Sequence, residues 1–162
     1  MTTTLGLSLA AFTQLHVVIS LVGIAAGLVF FIALIGGRWL SLMNGLFLVF
    51  TILTSVTGFL FPPKPIGPPF IFGVVSLVDL AIALYALYGG KLAGGWRRVF
   101  LATALFAQWL NMVVLVVQSY QKIPALHALA PLGNEPALLA TQGAVAIVVL
   151  YLAWTTLRRP AA

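Results

Sequence analysis

The 162 residues carry only ten charged side chains, eight Lys or Arg and two acids, while 62% are hydrophobic. A soluble domain is about a quarter charged, so a mean hydropathy of +1.17 excludes a water-covered globule and points to lipid as the main solvent. The net charge of +6 is scattered singly or in pairs, without the clustering of a nucleic-acid face, and the lack of cysteine excludes disulfides, thiolate catalysis and Cys-ligated metal.

Five apolar runs follow one another along the chain. The first covers 11–35 and ends at Gly36-Gly37-Arg38. No Lys or Arg precedes it and it is too long for a cleavable signal, so it reads as a permanent span. The second covers 39–61 and is closed by a proline-rich stretch, 62–69, expected to be a stiff connector of polyproline II character. The third covers 70–88 and the fourth 96–120, separated by a Gly-rich turn with Lys91. A loop at 121–136 then leads to the fifth, 137–157. Its apolar segment 125–130, bracketed by Pro124 and Pro131, predicts one or two helical turns resting on the membrane surface.

Each run is near the ~20 residues needed to cross a hydrocarbon core of about 30 Å, and only helices satisfy their own backbone there. The fold class expected is therefore all-α, a bundle of five transmembrane helices. Arg38, Lys91, Arg97, Arg98, Arg158 and Arg159 fall on one side, and Lys64 and Lys122 on the other. Six cations against two place the N-terminus outside and the C-terminus in the cytoplasm. Trp39, Trp96 and Trp154 lie near the same cytoplasmic ends, as interfacial indoles do. Gly36-Gly37-Arg38-Trp39 and Gly94-Gly95-Trp96-Arg97 are similar turns, which reads either as a duplicated two-helix unit or as ordinary interface composition.

Polar groups in lipid mark the interior of a bundle. Asp79 lies nine residues into the third run, ~13 Å deep at 1.5 Å per residue. Gln108 on the fourth run comes to a comparable depth, with Asn111 one turn away on the same face. Asp79 is expected to face both, either as a proton carrier or ligand anchor or as a structural interhelical contact. His16, Thr54, Ser76 and Gln142 come to a shallower common level on the outer side. Together these residues suggest an outward-facing polar pocket, with His127 and Glu135 on the loop above it as a lid. The same inventory would also suit a bundle wetted at one end with no ligand. Two imidazoles, His16 and His127, raise a haem b or, with Glu135, a metal ion as a further reading, although no ligand spacing supports it. Ser20, Gly23 and Gly27 form a small-residue stripe for close helix packing, within the bundle or between two copies. No serine has a base at a recognisable spacing and no carboxylates are paired, so no catalytic residue is expected.

The strings LHVVISLVGIAAG from Leu15 to Gly27, TSVTGFLFP from Thr54 to Pro62 and PALHALAP from Pro124 to Pro131, followed by Asn134-Glu135-Pro136, resemble a group of small multi-pass bacterial inner-membrane proteins with no established activity. The resemblance implies a bacterial cytoplasmic-membrane location and brings no catalytic residue. On these grounds the leading expectation is a non-enzymatic accessory or interaction component without a cofactor. Its partners would be the bilayer and either a second copy or another membrane protein. The alternative is a binder or carrier of a quinone or lipid in the polar pocket.

Overall fold

A computed structural model describes residues 3–62 and 66–158. The chain opens with a minimal hairpin, β1 (Thr3–Thr4) against β2 (Leu7–Ser8), antiparallel with Thr3 opposite Ser8. Leu5 and Gly6 have φ of 53° and 78°, the sign that tight hairpin turns require at both central positions. Ser8 then caps α1 (Leu9–Ile35), its Oγ accepting from the Ala11 amide at 3.3 Å. The helix ends in a Schellman turn: Gly37, at φ 76°, donates to Leu34 and Arg38 donates to Ala33.

α2 (Ser41–Phe59) is shorter at both ends than its apolar run, because Leu40 is extended and the chain leaves the helix ahead of Pro62. α3 (Pro68–Leu84) starts inside the proline-rich stretch: Pro68 and Pro69 occupy the first helical positions, where no backbone donor is needed. The expected stiff connector is thereby corrected at its C-terminal end, while its centre, 63–65, lies outside the described residues. α3 does not run straight to its end. It closes with one π turn (Tyr85–Gly89), followed by Lys91, Leu92 and Gly94 at φ of 49°, 56° and 54°. The Leu92 amide reaches back to Ala86 O, and the Tyr85 ring meets Trp96 edge-on at 5.1 Å.

α4 (Trp96–Lys122), the short α5 (Pro124–His127) and α6 (Pro136–Leu157) complete the chain. Of the one or two helical turns expected at 125–130, one forms, at α5, where Pro124 supplies the first helical residue. Among the described residues five helices are long and apolar enough to cross a membrane, and the protein is a multi-pass membrane protein. One end of the bundle gathers the turns that hold Arg38 and Lys91 together with the C-terminus of α6; it is called here the basic end. The other, the proline end, gathers the hairpin, the end of α2 at Leu60–Pro62, the start of α3 and the α4–α6 loop.

α1 to α4 pack successively as antiparallel neighbours, α6 lies against α4 and α1, and α4 touches every other long helix. The half toward the basic end is filled by rings. Phe30 meets Phe31 and Trp39, Phe31 meets Phe47, and Trp39 meets Phe100, at centroid distances of 5.1–5.9 Å. Fully buried Ala83, Ala86, Ala104 and Ala107 let α3 and α4 approach closely beside them. Large aliphatic side chains also cover the outside, Ile147 at 69% exposure and Leu150 at 68% among them. Lipid suits such a surface, whereas water would penalise it.

Candidate functional site

The half toward the proline end holds a series of interhelical polar contacts. α1 and α2 run antiparallel from the short turn at 36–40, so His16 returns to the level of Thr57. Its Nδ1 lies 2.7 Å from Thr57 Oγ1. Thr57 already donates to Leu53 O at 2.6 Å, so the threonine oxygen accepts and the imidazole proton sits on Nδ1. The ring also rests edge-on against Phe61 at 5.2 Å.

Deeper in, Asn111 donates from Nδ2 to Thr51 Oγ1 at 3.1 Å, joining α4 to α2. Ser55 Oγ stands 3.2 Å from Ser76 Oγ and 3.1 Å from Thr51 O, joining α2 to α3. Gln108 is fully buried and donates from Nε2 to Ile24 O at 3.2 Å, joining α4 to α1. Its Oε1 has no hydrogen-bond partner. On the far side, Gln142 donates to Val113 O at 3.1 Å, and the Tyr120 hydroxyl lies 2.9 Å from Thr141 Oγ1 and 3.2 Å from Ala137 O. These three contacts tie α6 to α4.

Sequence-predicted residues are thus distributed among separate seams. Thr54 turns back to Phe50 O and Ser20 to His16 O, each within its own helix. Asp79 does not hydrogen-bond to Gln108 or Asn111, whose amides are engaged with α1 and α2. It remains buried with Oδ2 unpartnered. Gly23 lies against Phe50 and Thr51 of α2, and Gly27 against Gln108 and Phe47, so both glycines of the α1 stripe are buried inside one copy. Thr57, Thr141 and Tyr120 were not singled out from sequence. Only the antiparallel register could have shown that Thr57 meets His16.

Above these seams, the α4–α6 loop is organised by Glu135. Its Oε1 accepts from the Leu132 amide at 2.7 Å, and its Oε2 from Gly133 and Asn134 at 2.9 and 3.0 Å. Gly133 adopts φ 82°, which brings these amides round to one carboxylate. Slight desolvation acts upward on this carboxyl, but the surrounding backbone amides outweigh it and hold it below the usual glutamate range. The sign follows directly. The ordering contribution is complete above the unfolded-state value of about 4.3 and is lost as pH falls through the lowered folded value. NMR of the amides of Leu132, Gly133 and Asn134 should therefore show shifts that hold at neutral pH and collapse only in acid. Glu135→Gln should show the loosened amides at every pH.

His127 is exposed on α5 and lines a cavity of about 120 Å³ with Tyr120, Gln121, Leu132 and Leu138. His16 sits instead in the α1–α2 seam. Among the described residues no three His, Cys, Asp or Glu side chains gather as metal donors.

Such seams hold neighbouring helices together. In membranes an interhelical hydrogen bond contributes about 0.6 kcal/mol on average and up to ~1.7 kcal/mol. Asn111→Ala should accordingly lower stability by about 1 kcal/mol in detergent unfolding. The double variant with Thr51→Val should cost less than the two single changes added together, since they share one bond. Comparison of the chain with protein-family models, curated proteins and solved structures finds no match.

Proposed function

We propose that the protein is a non-enzymatic accessory component of the bacterial cytoplasmic membrane, N-terminus outside, which associates with another membrane protein through α6. The observation that carries this reading is the one-sided packing of α6: of its 22 residues only Leu138, Leu152 and Thr156 are buried. Its free side presents Ala140, Gly143 and Ala144 in exposed positions, where small residues let a further helix come close. Tyr151 and Trp154, both exposed, continue that surface toward the basic end. The α1 stripe could serve either the bundle or a second copy; its glycines pack within the bundle, which moves the proposed interface to α6.

A Cβ at Gly143 would meet nothing within 4 Å, so Gly143→Leu leaves the bundle intact while obstructing close approach from outside. Isolation in mild detergent should recover the wild type with a stoichiometric polypeptide partner and the Gly143→Leu variant without it. A wild type recovered only as a lone monomer contradicts the proposal.

The cavity beside His127 favours a second reading, a site for the headgroup of a small amphiphile such as a quinone or lipid. Its apolar wall at Leu138 faces polar Tyr120, Gln121 and His127. Binding of a short-chain quinone analogue that His127→Ala weakens would support this reading, and equal binding by both proteins would remove it.

A further inference from the structure

Asp79 is the single aspartate of the chain and lies at the middle of its span, ~17 Å from Pro68 and ~15 Å from Gly89 at 1.5 Å per residue. It is only 9% exposed and its Oδ2 has no hydrogen-bond partner. The helices packed against α3 supply no counter-charge at this depth. α2 contains no ionisable side chain. On α4, Arg97 and Arg98 stand at the beginning and Tyr120 and Lys122 at the end, each at least ten residues from Gln108. Tyr85 and Tyr88 lie beyond it in the π turn. An ionised carboxylate in such a place would lack both a donor and a cation, the two things that make a buried charge tolerable.

The neighbourhood is nevertheless polar on one side. Ser76 is three residues earlier on α3, hence on the same face, and its hydroxyl meets Ser55 across the α2 seam. Toward the basic end, Leu80, Ala83 and Ala86 close the path with fully or almost fully buried apolar groups.

We propose that Asp79 is a proton-binding site, neutral at neutral pH with the proton on its buried carboxyl, and that it exchanges this proton with water at the proline end past the Ser55–Ser76 pair. The step is simple: a proton from water joins the carboxylate to give the acid, and hydroxide takes it back. One uncharged group in the bundle is exchanged for one negative charge. That change would loosen α3 against α2 and α4, so occupancy of the site is a means of linking helix packing to the acidity of one compartment.

Because the aspartate is unique, ¹³C-aspartate labelling reports on it without any substitution. The labelled full-length protein in lipid nanodiscs, observed by infrared spectroscopy, should show a carboxylic-acid C=O band at neutral pH. That band should shift in D2O and convert to carboxylate bands on alkalinisation. Ser76→Ala should retain the acid band and slow its deuterium exchange severalfold. A carboxylate at neutral pH overturns the proposal, and a carboxylate spectrum that responds to sodium would assign the site to a metal cation instead. Exchange unchanged in Ser76→Ala overturns the path past the serine pair.

Discussion

Gly27→Leu is expected to destabilise the bundle by about 3 kcal/mol, at the upper end of what overpacking usually costs. A Cβ alone at this position would collide with Gln108 Oε1 and lie 2.7 Å from Phe47 Cδ2. Gln108 is unable to swing aside freely, because it is fully buried and its amide is held by Ile24 O. Leucine would therefore prise α1 from both α2 and α4 and break the Gln108 bond as well. Unfolding by SDS in mixed micelles measures the loss. Gly143→Leu is the matched control, since the added side chain projects into open space and should change stability by no more than about 0.5 kcal/mol. Equal effects at the two glycines would mean that the α1 seam is not packed as described.

Phe47→Ala should have the second-largest effect, about 2–3 kcal/mol. Phe47 is fully buried, meets Phe31 at 5.9 Å and fills the ring cluster near the basic end. In a soluble protein the loss would combine a transfer term with a cavity term. In lipid the separated helix keeps the ring out of water, so the cavity term dominates. At ~24 cal/mol per Å³, removing ~100 Å³ of ring gives roughly 2.4 kcal/mol. Phe106, 38% exposed on the outer side of α4, loses little packing when truncated, and Phe106→Ala should stay within about 0.5 kcal/mol of wild type. The same SDS titration decides, and comparable losses at Phe47 and Phe106 would contradict the ring cluster as the packing centre.

What could be read from the sequence was depth. Counting residues along apolar runs gave the number of helices, and it placed Asp79 and Gln108 at similar levels. Azimuth was not available from counting. Gln108 was expected to turn toward α3, but Gly27 leaves a hollow on α1 that accepts its side chain, and the amide donates there to Ile24 O. The His16–Thr57 contact was legible in principle, since the short turn between α1 and α2 makes antiparallel neighbours of residues at similar distances from it. The polar residues were read as one converging pocket because depth alone cannot separate a pocket from a set of seams. Helix ends differed where proline chemistry decided: Pro68 and Pro136 begin helices that hydrophobicity alone would start later.

The account depends most on five membrane crossings that leave the two ends of the bundle in different compartments. The absence of native cysteine makes a direct measurement clean, because single-cysteine variants carry one thiol each. Asn134→Cys and Ala93→Cys place it in exposed positions of the α4–α6 loop and the α3–α4 turn. In intact cells an impermeant maleimide should label Asn134→Cys at once and Ala93→Cys only after the membrane is opened. Labelling of both sites from the same side would contradict the fivefold crossing, and the reverse pattern would invert the proposed orientation and turn the proline end, where Asp79 is proposed to exchange its proton, toward the cytoplasm.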